Sequence, residues 1–228
     1  DFHSQIEPFQ SGRNAGTAGL LSLSGYLEES RMVCPDLLYP DAGDYNQGTP
    51  YFNLFGGQVE VEGMNALGLF ATTLGNHEFD NGMEDLVRRL KKADYHVLCA
   101  NYDIQHKPLR RLVKPYVITR VNGKKIGIIG LTLDLNGLVS SEVLRKMNYR
   151  DVILTANRMA SLLKRKGCDL IICLTHQGLD SDMEMAAQSR NINLIIGGHS
   201  HTLLEEPKKK ADLDGPEGVI VQAGAYGV

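Results

Sequence analysis

No apolar run in these 228 residues approaches the roughly 20 that a membrane-crossing helix needs. Neither sign of charge dominates: 24 basic residues face 27 acidic ones, for a net charge of −3. Such a balance leaves no basic footprint for a nucleic acid duplex. The short basic run Lys208 to Lys210 is flanked by acidic residues and reads as a solvated loop. Four cysteines, at 34, 99, 168 and 173, show no C-x-x-C spacing, which excludes the usual thiolate zinc and dithiol redox patterns. Cys99 and Cys173 lie in apolar runs and are expected to pack as small hydrophobes. No signal-peptide pattern, internal repeat or low-complexity linker is visible, and 43% hydrophobic residues suffice for a sizeable core. A single domain over residues 1–228 is expected.

What is present alternates between helical and strand-like segments. Helical spacing covers Ala15 to Glu29 and Met83 to Ala93, with Leu86, Val87 and Leu90 on one face of the second. Asn81 is placed to cap that second helix. Asp151 can cap another helix, whose stripe is Ile153, Ala156, Met159, Ala160 and Leu163; Gly167 suits the position after its end. Strands are predicted at Asp36 to Tyr39, Val97 to Ala100, Asp169 to Leu174, Asn193 to Ile196 and Val219 to Ala223. Tyr116 to Arg120 and Lys125 to Leu131 flank Asn122-Gly123, a strong hairpin signal. Pro207 to Gly218 reads as loop. The class is α/β with a mixed sheet, because the hairpin must be antiparallel.

Polar residues collect just past the strands. Asp1 and His3 open the chain; Asp41 and Asp44 follow Tyr39-Pro40; Asn76, His77, Glu78 and Asp80 lie in "LGNHEFDNG". Asn101 follows "VLCA", His176 follows "DLIICLT", and His199 and His201 follow "NLII". Open α/β sheets place their ligands at such carboxyl ends. Carboxylate, amide and imidazole without thiol suit zinc, manganese, iron or cobalt. More candidates converge than one ion takes, so two divalent ions sharing a carboxylate fit better, at a separation of ~3.5–4 Å. Gly197 and Gly198 are expected to end their strand and turn the chain. In an extended segment, His199 and His201 would then point the same way and reach one ion each. Asp41 reads as a turn residue, Glu78 as support for its loop, and Asn101 as either a turn residue or a support behind the ligands. His96 and His106 receive no role.

Taken in order, "DFH", "DAGD", "GNHEFDNG", "CLTHQG" and "GGHSHT" resemble the calcineurin-like metallophosphoesterases. "QGTPYF", "LGNHEFDNG" and "GGHSHT" look specifically like the metal-binding domain of 5′-nucleotidases, over essentially the whole chain. The resemblance implies a four-layer α-β-β-α sandwich with two facing sheets. It implies that Asp1, His3, Asp44 and His201 hold one ion. Asp44 would bridge to a second, also held by Asn76, His176 and His199. It implies that Asn76 and His77 meet the substrate phosphate, with His77 oriented by Asp80. The reaction implied is hydrolysis of nucleotide phosphomonoesters by a metal-bridging hydroxide. Cyclic-nucleotide or other phosphodiester hydrolysis is an alternative, as is a metal-binding domain that needs a partner to select substrate. Export, to the periplasm or cell surface, is also implied.

The chain departs from the family pattern in three places. The family has a strand before the position of Asp1. It often has an amide where this chain has His201. It also continues past "GAYGV" into further strands and a nucleotide-binding C-terminal domain, on the same chain or a partner.

Overall fold

The computed structural model describes residues 1–227. In chain order the first half runs α1 (Leu20–Val33), β1 (Pro40–Asp41), α2 (Pro50–Phe55), α3 (Gln58–Ala66), β2 (Ala71–Thr73), α4 (Gly82–Leu90), β3 (His96–Leu98), β4 (Tyr102–Ile104), α5 (Lys107–Leu112) and β5 (Val113–Lys114). A single 3-10 turn, His77–Phe79, precedes α4. The second half runs β6 (Tyr116–Val121), β7 (Lys124–Thr132), α6 (Ser141–Leu144), β8 (Met147–Tyr149), α7 (Val152–Arg165), β9 (Leu170–His176), α8 (Leu179–Ala187), β10 (Leu194–Gly198), β11 (Lys208–Ala211) and β12 (Glu217–Gln222).

Two main sheets form, ordered β1-β2-β3-β5 and β11-β12-β10-β9-β7-β6, with a small β4-β8 ribbon beside them. Three cores separate four layers. Ile126, Ile128 and Leu174 meet Ala71 and Leu98 between the sheets. Ile129, Leu131, Ile171, Cys173 and Ile195 face α7 and α8 on the outer side of the larger sheet. Val61, Met64, Leu86, Leu90 and Val97 join α3 and α4 to the smaller one. Consecutive residues of β7, β9 and β10 thus enter opposite cores, which is why these strands read as unbroken apolar runs. The hairpin expectation holds: Asn122 and Gly123 both take positive φ, 48° and 76°, between antiparallel β6 and β7. Asp151 caps α7 by accepting from Leu154 N at 2.7 Å, and Gly167 follows the helix at φ 78°.

Several boundaries differ from the sequence reading. The first helix begins at Leu20, because Gly16, Ala18 and Gly19 take left-handed backbone. The strand expected at Asp36 to Tyr39 is displaced to Pro40–Asp41; Leu37 and Leu38 instead plug separate cores. Residues Lys208–Ala211 are not a loop but an exposed antiparallel edge strand on β12. Lysines on an outer edge discourage pairing with other chains. Asn81 occupies the position before α4 but makes no capping bond.

Candidate metal centre

Parallel strands of both sheets bring their carboxyl ends together. Asp44 follows β1, Asn76 follows β2, His176 closes β9, and His199 follows β10. Two loops from the smaller sheet meet the larger sheet at Gly43: a Cβ there would lie 2.8 Å from Gly75 N and 3.1 Å from His176 Nδ1. The fully buried Glu78 carboxylate binds the loops together. Its Oε2 accepts from Asp44 N at 3.0 Å and Gly75 N at 2.6 Å, and Oε1 accepts from Asn46 Nδ2 at 3.0 Å. Loop support is therefore what Glu78 provides, as its sequence position suggested.

Two carboxylate–imidazole clusters result, Asp1–His3–His201 and Asp44–His176–His199, each with ligand-type atoms within 4.8 Å of one another. In the first, His3 Nε2 faces His201 Nε2 at 2.9 Å, and Asp1 Oδ1 lies 3.8 and 3.6 Å from these two nitrogens. In the second, His176 Nε2 lies 2.9 Å from Asp44 Oδ2. His176 Nδ1 makes a 2.8 Å hydrogen bond with Ala42 O. If Nδ1 carries the proton, Nε2 of a neutral ring turns a lone pair toward the carboxylate, an arrangement that a cation between them would resolve. The clusters adjoin. His199 N donates to Asp1 Oδ2 at 2.7 Å, and the Asp1 nitrogen donates to Gly43 O at 2.7 Å.

The donor set fits divalent ions on a direct observation. Among the described residues Asp1 Oδ1 and Asn76 Oδ1 are buried with no hydrogen-bond partner, and the buried His176 Nε2 faces only the Asp44 carboxylate. Leaving such an atom unpaired costs about 1–3 kcal/mol, and all three are ordinary metal-ligand atoms. Burial lowers the pKa of His3 to about 4 and also lowers those of His199 and His201. Neutral imidazole is the form that ligates.

His199 and His201 do divide between the clusters, one each, but not for the expected reason. The segment is not extended: His199 has φ 78° and His201 φ 53°. The two imidazoles diverge because the chain coils left-handed there. Nor do Gly197 and Gly198 make the turn. They lie inside β10, paired with Thr175 and His176, and their missing side chains leave room: a Cβ on Gly197 would strike the Asp182 carboxylate.

His77 sits at the mouth. Its Nδ1 bonds Asp80 Oδ2 at 2.8 Å, and its side chain is 31% exposed. Its ring meets that of His3 edge-on with centroids 5.4 Å apart. The hydrogen bond to Asp80 raises its pKa. Asp41 is structural, its Oδ1 accepting from Gly43 N and Thr72 Oγ1, both at 2.8 Å. Asn101 supports the site from behind. Its side chain bonds both the N–H and the C=O of Thr132, at 2.9 and 2.6 Å, and Thr132 pairs with His176 across the sheet. His96 meets Phe70 edge-on, and His106 caps α5 and bonds Glu84. The sequence reading missed Tyr226, whose ring lies 5.5 Å from His3 and 5.6 Å from His201. No spacing signal marks it.

A wholly parallel smaller sheet facing a mixed larger one, rather than two mixed sheets, with paired carboxylate–imidazole clusters at the carboxyl ends, defines a metallophosphoesterase-type α/β sandwich. Comparison with known proteins agrees: the family model for calcineurin-like phosphoesterases matches residues 1–203, and the chain belongs to that family, which implies divalent metal ions. It is 36% identical over 211 residues to the NAD 5′-nucleotidase of Haemophilus influenzae, covering 89% of this chain and 35% of that protein. It is 31% identical to the snake venom 5′-nucleotidase of Gloydius brevicauda, over 100% of this chain and 42% of the relative. The crystal structure of a 5′-nucleotidase precursor from Thermus thermophilus superimposes with a TM-score of 0.91 at 30% identity, covering 100% of this chain and 48% of that one. The chain therefore spans less than half the length of each of these relatives.

Proposed function

We propose that this chain is the metal-binding domain of a nucleotide phosphomonoesterase. One ion would be held by Asp1, His3, His201 and Asp44, and a second by Asp44, Asn76, His176 and His199. The observation that carries this reading is the trio of buried ligand-type atoms on Asp1, Asn76 and His176, of which the first two have no partner among the described residues and the third faces only a carboxylate. When bound, two divalent ions, whether zinc, manganese, cobalt or iron, supply phosphate attraction and acidify water toward neutral pH. The protein's own groups do the rest. Asn76 and the partly exposed His77 meet the phosphate, and the Asp80 bond keeps one His77 nitrogen protonated and fixes the ring. The same bond raises the pKa and so favours the imidazolium, whose other nitrogen then carries a proton that can be shared with a phosphoryl oxygen or given to the departing alkoxide.

Relatives named for nucleotide and NAD substrates support nucleotides here. Their greater length supports a further, nucleotide-binding domain on the same protein or a partner. The free edge of β1 offers a place for more chain: Tyr39 to Ala42, Ile196 and Val221 line an apolar groove of about 420 Å³ beside Asp1. Export is our reading of localisation, in line with the venom relative; no described helix is long and apolar enough to cross a membrane.

The test is hydrolysis of AMP, a cyclic nucleotide and a bare aryl phosphate by wild type and His77→Ala. Loss of one transition-state donor costs about 10²–10³ in rate, so the variant should lose that much on AMP while retaining its metals. Near-normal turnover would remove His77 from the mechanism. Preference for the cyclic nucleotide would favour the phosphodiesterase alternative. Turnover of the aryl phosphate without selectivity for AMP would favour a domain that needs a partner.

A further inference from the structure

We propose that Ser4, Thr49 and Glu60 form a buried positioning device that holds His3 in the Asp1–His3–His201 cluster. The inference rests on the reading of that cluster as a metal site. His3 and Ser4 are consecutive non-glycine residues in left-handed backbone, at φ 51° and 56°. A Cβ disfavours that conformation, and such strain persists only where the surroundings over-determine it. Here they do. His3 N and Ser4 N donate to Asp44 O and Tyr45 O, both at 2.9 Å. On the other side Ser4 Oγ donates to Glu60 Oε1. Thr49 Oγ1 lies 3.0 Å from Ser4 O and 2.7 Å from Ser4 Oγ, so its one proton reaches Ser4 in either orientation. Ser4 and Glu60 are fully buried.

The arrangement accounts for "QGTPYF", a motif that the ligand set leaves without a task. Gly48, at φ 126°, must lack a side chain because a Cβ would lie 2.7 Å from His3 O. Thr49 supplies the bond to Ser4, and Pro50 starts α2. Glu60 reaches the device from the first turn of α3, where neighbouring Val61 and Met64 anchor the helix in the core. An acidic group is favoured at a helix N-terminus. Even so, a buried carboxyl group is costly where an apolar residue could pack, and Glu60 Oε2 has no partner among the described residues. Glu60 Oε1 is the acceptor for the Ser4 hydroxyl, a bond that is useful where that hydroxyl must be held against backbone strain and adds little in an ordinary core.

The experiment is a cobalt(II) titration of apo-protein followed by visible absorbance, alongside thermal unfolding. His3→Ala identifies the binding step that belongs to this cluster. Glu60→Gln is expected to weaken that same step at least tenfold and leave the other step unchanged. Glycine adopts positive φ freely, so in a Ser4→Gly background Glu60→Gln should weaken the step less. If Glu60→Gln fails to fold, Thr49→Val decides, with the same step expected to weaken about threefold. Unchanged steps, or equal weakening of both in parallel with lost thermal stability, would overturn the positioning role while leaving the metal reading intact. A wild-type chain that binds no cobalt would overturn both.

Discussion

Gly198→Ala is expected to weaken both ligand clusters at once. Its backbone takes ordinary strand geometry, so alanine meets no conformational penalty of the left-handed kind. The new methyl is the whole perturbation. It would stand 3.1 Å from Ala42 O, 3.1 Å from Asp1 Oδ2 and 3.2 Å from His176 Nδ1, where ordinary contact begins at 3.4 Å. Ala42 O and His176 Nδ1 are the two ends of one hydrogen bond, and Asp1 Oδ2 accepts from His199 N. None of the three can retreat without moving a ligand. Overpacking of this kind costs about 1–3 kcal/mol. At about 1.4 kcal/mol per tenfold, strain felt in the loaded site corresponds to roughly 5- to 150-fold weaker ion binding. Calorimetric titration of apo-protein with manganese or zinc, paired with thermal unfolding, reads both effects. Gly123→Ala is the control. It sits at φ 76° in the hairpin with nothing within 4 Å, so it should cost about 1 kcal/mol of stability and no ion affinity. If Gly198→Ala lost stability as the control does yet bound ions as wild type does, the claim that the two clusters adjoin at Gly198 would be wrong.

Two further perturbations discriminate between parts of the site. His201→Gln should weaken the ion at Asp1 and His3 and spare the one at His176 and His199, because imidazole binds transition metals better than an amide oxygen does. Equal affinities in variant and wild type would remove His201 from the ligand set. Asp182, beneath β10, has its pKa pushed up to about 6 by burial. A carboxyl whose folded pKa exceeds its unfolded value of about 3.9 binds more protons folded than unfolded, so stability falls as pH rises from about 4 to about 6. At about 1.4 kcal/mol per unit the loss is on the order of 3 kcal/mol. Asp182→Asn should therefore gain stability relative to wild type across that window in denaturant melts at pH 4 and 7. A constant difference between the two proteins would show that Asp182 ionises freely.

What the sequence discloses depends on whether the signal is local. β7, β9 and β10 are legible because both faces are buried, and each residue must then be apolar whichever way it points. The Asn122-Gly123 hairpin is legible because a two-residue turn demands positive φ at both positions. The residues leaving strand ends are legible as a set for the same reason: each follows a recognisable run. β11 is not, because an edge strand exposed on all four residues has no apolar alternation to display. Helix α8 escapes notice too, since Gly178 precedes it and its side chains carry little periodic contrast.

The grouping of the ligands is the part that local patterns cannot carry. An extended chain would have sent His199 and His201 to one side, and the structure separates them by coiling both residues left-handed. The same backbone recurs at His3, Ser4 and Asp44. Histidine and aspartate adopt positive φ more often than most side chains do, but still uncommonly, so the residue types alone do not announce it. The conformation is held from a distance instead: His199 N by Asp1 Oδ2 across 198 residues of sequence, His3 N by Asp44 O, and Asp44 N by Glu78. Three of these five residues, His199, His3 and Asp44, are thus held by a backbone bond to another part of the site. The conformations that sort six side chains into two clusters are properties of the closed assembly, and no segment read alone contains them.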